Sequence, residues 1–154
     1  MKYDLSICLP AIRTRNWKKL YDTACNSVGK YSFEMVFVSP YDLPPELEGV
    51  DNVRVVKDFG APTRCFQMGA ISCLGELITA ASDDGVFVKG SLEEAIDLYK
   101  QQCQDGDGVI VRYTEGQVCH LIPMSMQAFH TGLLKPILLY VWQESTKSIS
   151  GVYF

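Results

Sequence analysis

Two adjacent carboxylates, Asp83 and Asp84, follow the short apolar run Leu77 to Ala81, and Arg64 stands just inside a segment opened by Pro62. These residue types divide one chemical task between them. Paired carboxylates favour a hard divalent cation, which can in turn hold a diphosphate. An arginine beside a helix N-terminus favours a phosphate directly. Acid and phosphate ligands on one rim make sense mainly when a cation lies between them. The expected chemistry is therefore cation-assisted handling of a phosphorylated ligand, with Asp83 and Asp84 toward a hard divalent cation and Arg64 toward a phosphate. Taken alone, an Asp-Asp pair is also an ordinary solvated turn and Arg64 an ordinary surface arginine, so the reading depends on the elements around them.

Those elements form half of a crossover unit. Pro62 suits the first turn of a helix and Gly75 its end. Between them Phe66, Gly69, Ala70 and Cys73 recur at three- and four-residue spacing and give a small apolar face. The run from Leu77 then reads as a buried strand ending in Ser82, Asp83 and Asp84. Upstream, Leu5 to Leu9 reads as a strand closed by Pro10, Trp17 to Val28 as a helix capped by Asn16, Phe33 to Val38 as a nearly all-apolar central strand, and Val53 to Val56 as a third strand. Strands alternating with helices predict a doubly wound, mostly parallel α/β sheet flanked by helices. In such sheets ligands bind outside the carboxyl ends of the strands, where the acidic pair and the opening of the Pro62 helix should share a rim.

The pattern G-A-P-T-R…M-G-A-I…L-G-E-L-I-T-A-A-S-D-D-G-V-F resembles the middle of a family 2 glycosyltransferase with the GT-A fold. The resemblance implies that Asp83 approaches the ribose of a nucleotide-sugar and that Asp84 binds Mn²⁺ or Mg²⁺. It implies that Pro10 and Ala11 line the base and ribose pocket, with Arg13 nearby. Ser39 and Pro40 stand where the family often carries an acidic pair against the base; Ser39 would hydrogen-bond a base edge in its place, and Asp42 is a possible substitute. The implied partners are a nucleotide-diphosphate sugar donor and a glycan, lipid or small-molecule acceptor. No residue is assigned as catalytic base: the acidic residue that the family places further along has no equivalent here, as in a fragment or a compact variant.

Beyond the acidic pair, Ser91 and Glu94 have capping-box spacing, opening a helix that buries Leu92, Ala95, Ile96, Tyr99 and Cys103. Asp105 to Gly108 reads as a turn, and Gly108 to Tyr113 with Gln117 to Ile122 as a β-hairpin in the C-terminal third. His120 and His130 are each open to a metal-ligand, base or packing role. The tail from Leu133 to Phe154 falls on the acceptor side by resemblance.

At 154 residues the chain is expected to form one GT-A-like domain, residues 1–105 the nucleotide-sugar-binding half and 106–154 a partial acceptor-side half. A net charge of -4 without a basic stripe argues against a nucleic-acid partner. Cysteines at 8, 25, 65, 73, 103 and 119, with no C-x-x-C spacing, read as reduced, mostly buried thiols of a cytoplasmic protein. No run reaches the ~20 apolar residues of a membrane span. Two rival functions stand beside the transferase. One is a nucleotide-sugar-binding module without turnover. The other is a nucleotidylyltransferase, which ranks last because the loop after the first strand, L-P-A-I-R-T-R-N, holds no glycine.

Overall fold

The computed structural model describes residues 2–102, together with the backbone of 108–114 and 117–124. His130, the turn residues 105–107 and the tail from Leu133 lie outside the described residues, as does the expected boundary between the two halves.

Four strands, β1 (Tyr3–Pro10), β2 (Phe33–Ser39), β3 (Val53–Lys57) and β4 (Gly75–Ala80), form a wholly parallel sheet in the order β3-β2-β1-β4. Helix α1 (Thr14–Ser27) links β1 to β2, helix α2 (Pro62–Ser72) links β3 to β4, and helix α3 (Ser91–Gln102) follows β4. Strands β5 (Gly108–Thr114) and β6 (Gln117–Met124) pair antiparallel as the expected hairpin, and His120 lies on β6. Among the described residues no helix is long and apolar enough to cross a membrane.

Side-chain alternation along the strands divides the core between two faces. Leu5, Ile7 and Leu9 of β1 and Phe33, Met35 and Phe37 of β2 meet Trp17, Leu20 and Ala24 of α1 and Leu92, Ala95 and Ile96 of α3. Trp17 stacks on Phe37 with ring centroids 4.3 Å apart. On the other face Cys8, Val36 and Ile78 meet Ala70 and Cys73. Every residue of β2 is buried, as a central parallel strand requires. The sheet is therefore doubly wound, with helices on both faces.

The second face also carries an ion pair. Glu34, an acid inside an apolar strand, accepts hydrogen bonds from Ser6 Oγ at 2.6 Å, Arg54 Nε at 3.0 Å and the Leu74 N–H. Arg54 also donates to the Ser72 carbonyl. This network ties three strands to the turn between α2 and β4. Burial pushes the Glu34 carboxyl up, but the Ser6, Leu74 and Arg54 donors outweigh it and hold it below the usual glutamate range.

Three local expectations change. Helix α1 starts at Thr14, so Asn16 lies within its first turn and Arg13 holds the cap position, with no side-chain cap bond. Gly75 does not stop α2: Cys73 does, and Gly75 begins β4. A Cβ there would meet Ser6 N at 2.6 Å and Leu5 C at 2.7 Å, so glycine is what lets β4 close onto β1. The start of α3 is served from outside, because Ser27 Oγ of α1 accepts the Leu92 N–H at 3.0 Å, while Ser91 Oγ lies 2.9 Å from the Val88 carbonyl. Cys8, Cys65 and Cys73 are buried free thiols as expected, but Cys25 is exposed.

Candidate functional site

Parallel strands bring their carboxyl ends to one edge. Strand β1 feeds α1 on one face, whereas β4 arrives from α2 on the other, so the winding reverses where β1 and β4 lie side by side. Ligand crevices of open α/β sheets form at such reversals. Here the loop after β1, residues 11–13, faces the loop after β4, residues 81–84. Two main-chain bonds set their entry angles: Ala11 N donates to the Val38 carbonyl at 2.9 Å, and Ala81 N to the Cys8 carbonyl at 3.2 Å.

Asp83 closes this corner. Its Oδ2 accepts from Ile12 N at 2.7 Å and Arg13 N at 2.6 Å, and its Oδ1 accepts from the Arg13 guanidinium at 2.6 Å. Asn16 Nδ2 donates to the Asp83 carbonyl at 2.9 Å, which is the role its position in the first turn of α1 allows. The Asp83 side chain is only 4 % exposed. A buried carboxylate survives because charge-assisted donors replace its lost water. Asp84 is different: its side chain is 35 % exposed, hydrogen-bonded with the Ser82 hydroxyl, and Arg13 Nη1 lies 3.7 Å from its Oδ2. The bond to Asp83 pushes the Arg13 guanidinium pKa up, and the nearby Asp84 charge adds to this.

The other end of the rim follows β3. Asp58, also buried, accepts from Gly60 N at 2.6 Å and from Arg64 Nε at 3.1 Å, while the Arg64 side chain is 65 % exposed. The Gly60 N–H is the main cause holding the Asp58 carboxyl below the usual range; burial opposes it and Arg64 adds to it. Pro62 opens α2 as expected, and no side chain caps its N-terminus. Strands β3 and β4 are the two outer strands of the sheet, so their ends lie about 14 Å apart with the ends of β2 and β1 between them. The two corners lie on the same edge.

Between them, Pro10 ends β1 half-buried and Ala11 is buried. Ser39 is buried at the end of β2, where its Oγ accepts the Tyr41 N–H at 3.1 Å. Asp42 is exposed and pairs with Lys57 at 2.6 Å. Three side chains absent from the sequence reading stand out on this edge: Ile12, Tyr41 and Phe59 are exposed large apolar groups on the loops after β1, β2 and β3. Their signal was available, since each interrupts a polar loop at a strand end.

The donor set fits a cation in one way only. Both Asp83 oxygens are occupied by N–H donors, and among the described residues no group of three or more His, Cys, Asp or Glu could hold a metal. Of the adjacent pair, Asp84 is the one that reaches solvent. A single rim carboxylate suits a Mg²⁺-like ion that keeps several waters and takes further oxygens from a phosphate ligand.

No family model and no curated protein matches this chain. Solved structures do. The crystal structure of S. aureus TarS 1-349 is similar with a TM-score of 0.57 at 17% identity, and that of TarS 1-349 in complex with UDP with a TM-score of 0.54 at 16% identity. TarS is a glycosyltransferase. Each match covers 80% of this chain and 39% of the TarS chain, so the chain spans about two fifths of those structures. The likeness is one of fold, a GT-A-like α/β sheet.

Proposed function

We propose that this chain binds a nucleoside-diphosphate sugar at the β1–β4 rim and serves as the donor-binding part of a metal-dependent, inverting glycosyltransferase of the family 2 type. The observation that carries the reading is the Asp83 corner: a buried carboxylate folds the loop after β1 against the loop after β4 at the winding reversal of a TarS-like sheet. One of the TarS structures holds UDP, which makes a uridine nucleotide the first ligand to try.

The roles follow from place along the rim and, for Asp83 and Asp84, from exposure. Pro10 and Ala11 line the nucleoside side. Arg64, paired with Asp58 beyond the outer strand β3 while the acidic pair follows β4 at the other side of the sheet, suits the base end of an extended nucleotide better than its phosphates, and Ser39 and Tyr41 follow β2 between them. Asp83 holds the loop rather than the ligand. Asp84 is the carboxylate open to Mn²⁺ or Mg²⁺, which when bound would supply Lewis-acid neutralisation of the departing diphosphate. The acceptor would be a hydroxyl of a glycan, lipid or small molecule that attacks the anomeric carbon from the face opposite the diphosphate. The anomeric C–O bond to the leaving nucleoside diphosphate breaks, and the hydroxyl proton goes to a carboxylate base that no described residue is assigned to supply.

Calorimetry with UDP tests this. Binding is expected with Mn²⁺, and at least ten-fold weaker with a chelator or in Asp84→Ala. Equal affinity under all three conditions removes the cation from the reading, and no binding under any of them removes the nucleotide.

A further inference from the structure

Arg13 is where a cation would be expected. Its guanidinium contacts Asp83 at 2.6 Å and lies 3.7 Å from Asp84, so it already neutralises one of the two carboxylate charges. It is also 44 % exposed and sits on a loop that Asp83 holds through main-chain N–H groups. The side chain can therefore leave without dismantling the corner.

We infer that Arg13 is a resident counter-charge that makes cation binding and diphosphate binding at this rim depend on each other, an inference that rests on the nucleotide-binding reading above. A divalent ion approaching alone meets one carboxylate open to solvent and a guanidinium beside it, and like charges a few ångströms apart repel. Among the described residues it meets no group of three or more metal-ligating side chains. A diphosphate approaching alone meets two carboxylates and one guanidinium, a corner with negative charge uncompensated. Arriving together, the two ligands relieve both conflicts. The guanidinium can then turn from the carboxylates to the diphosphate, where a bidentate contact is favourable. The coupling is reciprocal: whatever the diphosphate adds to cation affinity, the cation adds to diphosphate affinity.

Mn²⁺ binding, read by the loss of its free electron paramagnetic resonance signal, tests this in the wild-type chain, Arg13→Gln and Arg13→Lys, each with and without UDP. Wild type should bind Mn²⁺ alone weakly and at least ten-fold more tightly with UDP. Arg13→Gln should bind Mn²⁺ alone about ten-fold more tightly than wild type, and UDP should then add little. Arg13→Lys keeps the charge and should behave like wild type, which separates charge from loop damage. If UDP and Mn²⁺ bind cooperatively but Arg13→Gln matches wild type in both measurements, the role of Arg13 is overturned while the nucleotide site stands. If neither ligand binds any of the three proteins, the nucleotide reading and this inference fail together.

Discussion

Two arginine–aspartate pairs stand on the same sheet edge, and they differ in what they accomplish. At each, a buried carboxylate accepts from an exposed arginine and from the main chain, one N–H at Asp58 and two at Asp83. Asp58 and Arg64 are six residues apart, and the pair closes the turn between β3 and α2. Asp83 reaches Ile12 and Arg13, 71 and 70 residues away, and joins two loops that nothing in the local chain brings together. The near pair shapes a turn, whereas the distant pair holds two strand-end loops together. The same side-chain chemistry thus serves local and global order according to the chain length it spans.

Replacing Asp83 should break the comparison most sharply. Asp83→Ala strips the acceptor from two part-buried N–H groups and frees the guanidinium, at a cost of about 2–4 kcal/mol. Urea unfolding measures it, and a midpoint shift no larger than that of Asp58→Ala would erase the distinction drawn between the corners. Acid acts next, on the local pair. The Asp58 carboxyl lies below its unfolded value, so its stabilisation is complete above about pH 4 and is lost as pH falls through the lower folded pKa. Glu34 contributes with the same sign. The urea midpoint of wild type should therefore drop below about pH 4, and Asp58→Asn should flatten part of that slope; equal slopes would show that Asp58 gains nothing from its N–H donors. The smallest effect belongs to Arg64→Ala. An arginine 65 % exposed holds its partner through water-screened contact, so less than about 0.5 kcal/mol of stability should be lost. A larger loss would mean that the turn depends on the arginine as well as on Gly60.

What could be read from the chain beforehand follows the same division between near and far. Strands β1 to β4 and the apolar faces of α1, α2 and α3 were legible, because each rests on a period of two or of 3.6 within a short window. Pro62 was legible as a helix opener for a local reason too. The partners of Asp83 were not, since main-chain N–H groups leave no mark in residue identity and the loop that presents them lies 70 residues earlier. Asn16 illustrates the loss: its type suited a cap, but its amide serves the Asp83 carbonyl instead. Gly75 has a similar history. A glycine after a helix reads as a stop, and only the pairing of β4 with β1 reveals that the Ser6 backbone leaves no room for a side chain. Glu34 in an apolar run gave no hint of Arg54, which approaches from the neighbouring strand. The acidic pair itself was found, but its two members proved unequal, one inward and satisfied, the other open to solvent.

The span of the Asp83 contacts also fixes when this corner can form. A nascent chain emerging from the ribosome can finish β1, α1, β2 and β3 while the amides of Ile12 and Arg13 still face water, because the carboxylate that gathers them is synthesised 70 residues later. The corner thus forms in one step, with the docking of β4 onto β1.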